Sequence, residues 1–336
     1  MTRDLTEAEL LERARAWTPI DEDLEGVEPR LAGLILGLRR TFAGNDVPRS
    51  EEWHVPEGVE CDRDVVFDPD SPAGRISVFY PREAVVRGGH AIPAYVDIHG
   101  GGFVYGSHRL NDFFCAHLAS HGCVVFNVDY PLATRATFVD VLGHIARALR
   151  WIGENGDRWP CRTDRLFLTG DSAGGTLAFY TTLIHANPGF AERLGVDAAP
   201  VRVGGTALVS ALCDISPYIA SEPHTAAGPD DLMAALGPTF FACLGPERRD
   251  DFSLASLVGD WELPPLYLVT SSDDFLQADA LALGAELARH GNRFIIDDYF
   301  AAPGVSLGHV FPVGFPHLGE GREVVEKIAR FAYDQL

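Results

Sequence analysis

The chain has 336 residues, 46% hydrophobic and 22% charged, with 27 Lys and Arg against 48 Asp and Glu for a net charge of −21. These proportions exclude a disordered chain, and no run reaches the roughly 18 uninterrupted apolar residues of a membrane span. The negative charge repels phosphate backbones and anionic headgroups, so neither nucleic acid nor a membrane is an expected partner. The opening MTRDLTEAEL is charged from residue 3 and lacks the apolar stretch of a signal peptide, which predicts a cytoplasmic protein. Residues 1–70 alone hold 18 acidic and 8 basic side chains.

Two helical patterns come first. Thr6 with Glu9 fits a capping box ahead of Leu10 and Leu11, and Leu31, Leu34, Ile35 and Leu38 give a second apolar face. Strand-like runs follow at 64–67 and 75–80, then AYVDIHG reads as a strand, 111–121 as a helix, and CVVFNVDY as a strand. A helix over 138–153 gathers Phe138, Val141, Leu142, Ile145, Leu149 and Ile152 on one side. RLFLTG is the next strand, 173–185 a helix, and VGGTALVSAL a strand. Residues 214–260 are irregular and rich in Pro and Gly. The alternation resumes with PLYLVTS, a helix at 277–290, RFIIDDYF and a final helix near 320–334. Alternating β and α with near-continuous apolar strands predicts an α/β fold whose mostly parallel sheet is covered on both faces. Such sheets carry their chemistry at the carboxyl ends of the strands.

Six cysteines (Cys61, Cys115, Cys123, Cys161, Cys213, Cys243) form no CxxC pair and fit reduced, mostly buried thiols. Cys115, His117, His121 and Cys123 fall within nine residues, and the two His are four apart, so zinc has to be weighed. An amphipathic helix closed by Gly122 accounts for the same residues, and no metal is expected.

The chemistry concentrates after RLFLTG, where Gly170-Asp171-Ser172-Ala173-Gly174-Gly175 runs from a strand through a G-x-S-x-G turn into a helix. That turn lifts a Ser hydroxyl above the sheet edge. A second match, Gly304-Val305-Ser306-Leu307-Gly308, leads into the Pro-broken HVFPVGFP instead of a helix, so Ser172 is the candidate nucleophile. A hydroxyl needs a base, and the base an orienting carboxylate, in the chain order Ser, Asp or Glu, His. Asp273 and Asp274 follow PLYLVTS, and His309 lies in the loop after the last strand. Upstream, His99-Gly100-Gly101-Gly102-Phe103 closes the AYVDI strand. Its glycines let backbone N–H groups approach a substrate oxygen, and with the N–H of Ala173 they would stabilise an oxyanion. No G-x-G-x-x-G opens a helix there and no P-loop Lys follows, which leaves little for a phosphate-binding reading.

The pairing of H-G-G-G-F with G-D-S-A-G-G resembles the hormone-sensitive-lipase-like branch of the α/β-hydrolases, which includes many bacterial carboxylesterases. The similarity runs from about residue 90 to 330. It implies an α/β-hydrolase fold with an eight-stranded, mostly parallel sheet, flanking helices and a helical cap. Asp274-Phe275-Leu276 matches the family's acidic segment, which makes Asp274 the acid, and Gly101, Gly102 and Ala173 correspond to the oxyanion donors. The cap is expected from residues 1–60 and an insertion near 214–260 within a catalytic domain spanning 61–336. Phe103, Trp17, Leu36, Met233, Phe240 and Phe241 are candidates for an apolar pocket beneath it.

The implied activity is serine carboxylesterase hydrolysis of short- to medium-chain acyl esters, with a small-molecule ester as partner and no cofactor; a homodimer is compatible with it. Acyl transfer, amide or lactone cleavage and a biosynthetic dehydratase use the same site. A non-catalytic receptor on this scaffold, as in the plant gibberellin receptors, lacks the His that this chain has at 309. Two departures stand out. Tyr130-Pro131-Leu132-Ala133-Thr134-Arg135 replaces the family's Tyr-Arg-Leu-Ala-Pro-Glu, so local packing must differ. The usual His-Gly-Phe is His309-Val310-Phe311, preceded by a longer loop, AAPGVSLG, that bears on the leaving-group side. The charge of the first 70 residues predicts an acidic cap rim that disfavours polyanionic substrates.

Overall fold

A computed structural model describes residues 5–87, 92–219 and 232–336. Its eight strands are β1 (Val59–Val66), β2 (Arg75–Pro81), β3 (Ile92–Ile98), β4 (Val124–Val128), β5 (Cys161–Asp171), β6 (Arg202–Val209), β7 (Leu266–Ser271) and β8 (Phe294–Tyr299). They form one sheet in the order β1-β2-β4-β3-β5-β6-β7-β8. β2 pairs antiparallel with β1 and β4, and every pairing from β4 to β8 is parallel. This is the α/β-hydrolase architecture expected above. β4 and β7 are buried along their whole length, and β3 from Pro93 onward, as strands covered on both faces must be.

The helices are α1 (Glu7–Ala14), α2 (Pro29–Ser50), α3 (Arg82–Arg87), α4 (Asp112–Ser120), α5 (Phe138–Asn155), α6 (Ala173–Ala186), α7 (Pro188–Leu194), α8 (Leu232–Leu236), α9 (Leu254–Gly259), α10 (Gln277–Arg289), α11 (Phe311–Gly314) and α12 (Gly319–Tyr333). The Thr6–Glu9 capping box is formed, and Thr137 and Asp140 make another at the start of α5. All six apolar residues read on one side of α5 are buried. That helix and α6 cover one face of the sheet, while α4 and α12 cover the other. A smaller cluster of Ala14, Trp17, Ile20, Ala43, Val47 and Tyr105 glues α1 and α2 together. No described helix is long and apolar enough to cross a membrane.

Some elements differ from expectation. β1 begins at Val59, five residues before the apolar run, because an edge strand with one wet face tolerates Glu60, Asp62 and Arg63. It bulges between Asp62 and Val65, where Asp64 has φ +55°. The buried stripe of α2 is Leu31, Ile35, Arg39, Ala43, Asp46 and Val47, so two charged side chains join the inward face, while Leu38 packs half-buried against the core and Leu34 is half-buried. α3 and α7 carried no apolar period that sequence reading could detect. The acidic excess of the N-terminal segment is partly paired: Arg15 bonds Glu12, Asp21 and Glu22, Arg13 bonds Glu51, and Arg40 bonds Glu7. Of the expected cap insertion near 214–260, residues 220–231 lie outside the described residues, as do residues 1–4 of the N-terminal segment.

Candidate active site

β5 ends at Asp171, α6 starts at Ala173, and Ser172 turns between them at φ +51° and ψ −121°. That left-handed conformation strains a residue with a side chain. It is pinned by a bond from Ser172 N–H to the Val209 carbonyl (2.9 Å) and from Thr176 N–H to the Ser172 carbonyl (3.0 Å). The crossing of α6 over β3 is so close that a Cβ on Gly174 would lie 2.0 Å from the Ile98 carbonyl oxygen. A glycine there is required by contact. Ser306 is different: it sits exposed on a loop and donates to Asp273 Oδ2 at 2.6 Å.

Beyond β3 the backbone takes three consecutive positive φ values, Gly101 (+104°), Gly102 (+60°) and Phe103 (+66°). The Gly101 carbonyl accepts from Val104 and Tyr105 N–H at 3.1 and 3.0 Å, which folds the loop back on itself. Gly100 N–H donates to Asp171 Oδ1 (3.0 Å), tying this loop to the residue before Ser172. The N–H groups of Gly101, Gly102 and Ala173 have no acceptor among the described residues. For Ala173 this follows from its place in the first turn of α6. His99 stacks on Tyr130 with centroids 4.1 Å apart, and Tyr130 Oη donates back to the His99 carbonyl at 2.8 Å. Asn111 Nδ2 bridges Asp171 (2.7 Å) and Asp97 (3.0 Å), and burial pushes both carboxyls above the ordinary carboxylate range.

Asp274 and His309 meet across the loops after β7 and β8. Asp274 Oδ1 accepts from His309 Nδ1 at 2.8 Å and from Leu276 N–H at 2.9 Å, with its side chain fully buried. Burial alone would raise the Asp274 carboxyl; the bond and charge of His309 and the nearby Ser210 and Leu276 donors outweigh it and hold it below the ordinary range. With Nδ1–H spent on a carboxylate, a neutral imidazole presents its lone pair at Nε2. Val310 (φ +54°) donates its N–H to Ser210 Oγ at 3.3 Å, and Ser210 (φ +52°) closes β6. Among the described residues, four of the five non-glycine positions with positive φ (Phe103, Ser172, Ser210 and Val310) therefore ring this one region. His309 adds electrostatically to the environment of Asp171, the neighbour of Ser172, although no hydrogen bond joins Ser172 Oγ to His309 among the described residues. Such bonds are often long in a site without substrate. Asp273 turns the other way and takes Ser271 Oγ (3.0 Å), Ser306 Oγ and Gly308 N–H (3.1 Å).

The expected pocket residues separate into two groups. Phe103 packs against Phe240 (5.0 Å between centroids) and Phe241 (5.8 Å), all three buried, and Met233 lies half-buried on α8. Trp17 and Leu36 belong instead to the cluster between α1 and α2. Trp17 Nε1 donates to Tyr105 Oη at 2.9 Å, and the ring lines a cleft of about 300 Å³ with Trp53, Arg109 and Phe113. Sequence does not say which side of α1 and α2 meets the sheet, and the structure sets Trp17 and Leu36 apart from the Phe103 group. Leu38, read from sequence only as part of an apolar helix face, and Leu232, not read at all, stand over Gly102; a Cβ there would lie 3.9 and 3.5 Å from their methyl groups. Nothing in a helical Leu pattern distinguishes a residue above a site from one in the core.

The altered segment after Tyr130 has a structural counterpart. Thr134 Oγ1 donates to Asp23, which takes both terminal nitrogens of Arg39 at 2.5 and 2.8 Å. Arg39 is fully buried and also donates to the carbonyls of Val104 (2.8 Å) and Ile20 (3.0 Å). The Cys and His group weighed for zinc disperses: Cys115 and Cys123 are in the core, and His117 packs on Phe113, His54 and His317. No group of three metal-ligating side chains converges among the described residues.

A family model described as alpha/beta hydrolase fold matches residues 95–303. Esterase LipI of Mycobacterium tuberculosis is 31% identical over 162 residues, 47% of this chain, so the chain spans only 44% of that curated relative's length. The versiconal hemiacetal acetate esterase of Dothistroma septosporum is 26% identical over 285 residues, covering 83% of this chain and 82% of its own. Among solved structures, an inhibited esterase B from Lactobacillus rhamnosis superposes with a TM-score of 0.81 at 26% identity, over 92% of this chain and 97% of that one.

Proposed function

The chain belongs to the alpha/beta hydrolase fold family, and from that premise we propose that it is a serine carboxylesterase acting on short- to medium-chain acyl esters. Ser172 is the nucleophile, His309 the general base and Asp274 the carboxylate that orients it. His309 Nε2 takes the Ser172 proton as the hydroxyl oxygen attacks the ester carbonyl. The resulting oxyanion is received by the N–H groups of Gly101, Gly102 and Ala173, each without an acceptor among the described residues. His309 then returns the proton to the departing alcohol, and water repeats the sequence on the acyl-enzyme to release the acid.

The observation that carries this reading is the 2.8 Å bond from His309 to a buried Asp274, on loops at the same sheet edge as the strained Ser172. The esterase relatives support the reaction class. We assign residues 1–60 and 214–260 to a cap over a catalytic body of 61–336, with Leu38 and Leu232 bounding the acyl side. All proposed residues come from one chain, so a monomer or a homodimer would serve. Hydrolysis of a p-nitrophenyl acyl ester series tests the proposal, with turnover expected to fall as acyl chains exceed about six carbons. Undiminished turnover in Ser172→Ala would overturn it.

A further inference from the structure

Phe275 lies between two tethered residues: Asp274 is bonded to His309, and Leu276 N–H to Asp274 Oδ1. The Phe275 ring is therefore held against the imidazole of His309, with centroids 4.2 Å apart and planes 37° apart. It is nonetheless 74% exposed. Scattered exposed apolar residues are normal, but this one touches the proposed base while offering most of its surface to the outside. Two more exposed apolar side chains, Phe300 (77%) and Val305 (57%), sit on the following long loop. That loop is fastened to the turn holding Phe275 by Ala301 N–H to Ser272 Oγ (3.3 Å) and by the Ser306 and Gly308 bonds to Asp273.

We propose, resting on the serine-esterase reading above, that Phe275 determines alcohol-side specificity and selects esters whose alcohol carries an aromatic or bulky apolar group. His309 Nδ1 is committed to Asp274, so the departing alcohol oxygen receives its proton from Nε2, at an ordinary hydrogen-bond distance of about 3 Å. The alcohol substituent thus starts next to the imidazole on which Phe275 lies. A phenyl or branched alkyl group reaches that ring, whereas a methyl or ethyl group does not. Phe300 and Val305, on the loop fastened beside it, extend the apolar rim.

Benzyl acetate and ethyl acetate share the acyl group and release alcohols of similar acidity, so the ratio of their kcat/KM values isolates the alcohol side. In Phe275→Ala the benzyl-to-ethyl ratio is expected to fall about three- to tenfold, the range of an aromatic contact, and in Phe275→Trp to be kept or raised. Because the ring is mostly exposed, alanine opens no core cavity, and unchanged thermal unfolding would verify the fold. A fall of both esters by the same factor, with the ratio unmoved, would overturn the proposal and leave Phe275 as a shield of the base. Persistent hydrolysis of both esters in Ser172→Ala would overturn the underlying esterase reading instead, an outcome the ratio cannot mimic.

Discussion

Arg39 and Val104 are joined across the boundary between the N-terminal helices and the sheet by a 2.8 Å bond from the buried guanidinium Nε to the backbone carbonyl. Val104 follows the three positive-φ residues of the glycine loop, so α2 braces that loop from outside. Tyr105 Oη to Asp46 (2.9 Å) and Gly106 N–H to Thr18 Oγ1 (3.0 Å) reinforce the brace. Arg39→Met leaves the half-buried Asp23 carboxylate and the Val104 and Ile20 carbonyls without their donor, a loss of about 1–3 kcal/mol. Thr134→Val removes one bond to the same carboxylate and should cost about 1 kcal/mol. Urea unfolding measures both. If the brace orients the proposed oxyanion donors, Thr134→Val should also lower kcat more than it changes KM; a pure KM effect would contradict that role.

The loop of residues 300–308 hangs on Asp273. Ser306 and Gly308 are both bonded to its Oδ2, and Gly308 precedes His309. The Ser306 hydroxyl is the strongest influence holding the Asp273 carboxyl below its ordinary value, so the latch is closed at neutral pH and slackens on acidification. Asp273→Ala should speed hydrogen exchange across 301–308 and lower kcat, while Ser306→Ala keeps most activity. Loss of all turnover in Ser306→Ala would show that the second G-x-S-x-G, not the first, carries the nucleophile.

His117 gives the fold an acid-sensitive seam. Burial, with His317, His54 and His121 as positive neighbours, pushes its pKa from 6.5 down to about 4. The folded state disfavours the charged ring, whereas an unfolded chain takes up the proton near pH 6.5. The stability involved is complete above pH 6.5 and is lost as pH falls towards 4. Thermal unfolding should therefore drop over that interval, and less steeply in His117→Phe, whose ring also suits the Phe113 and His317 packing. Equal slopes in the two proteins would contradict the assignment.

Much of the frame could be read from residue order because its signals are local. The strand before Ser172, the apolar side of α5 and the Thr6 and Thr137 caps all follow from periodicity and capping chemistry over a few residues. Chain order alone does not distinguish Asp273 from Asp274; the family resemblance points to Asp274, and their hydrogen bonds separate the latch from the partner of His309. The N-terminal segment was the least legible. Arg39 and Asp46 point inward on α2, against the apolar rule, because their partners Asp23, Val104 and Tyr105 come from elsewhere in the chain. For the same reason Trp17 went to Tyr105 rather than to Phe103.

Ser172 carries the proposed reacting hydroxyl. Treating the protein with a p-nitrophenyl phosphonate and mapping the adduct by peptide mass spectrometry addresses this directly. The predicted result is one phosphonyl group on the peptide containing Ser172, complete loss of esterase activity, and no labelling of Ser172→Ala. An adduct on Ser306, or undiminished labelling of Ser172→Ala, would contradict it.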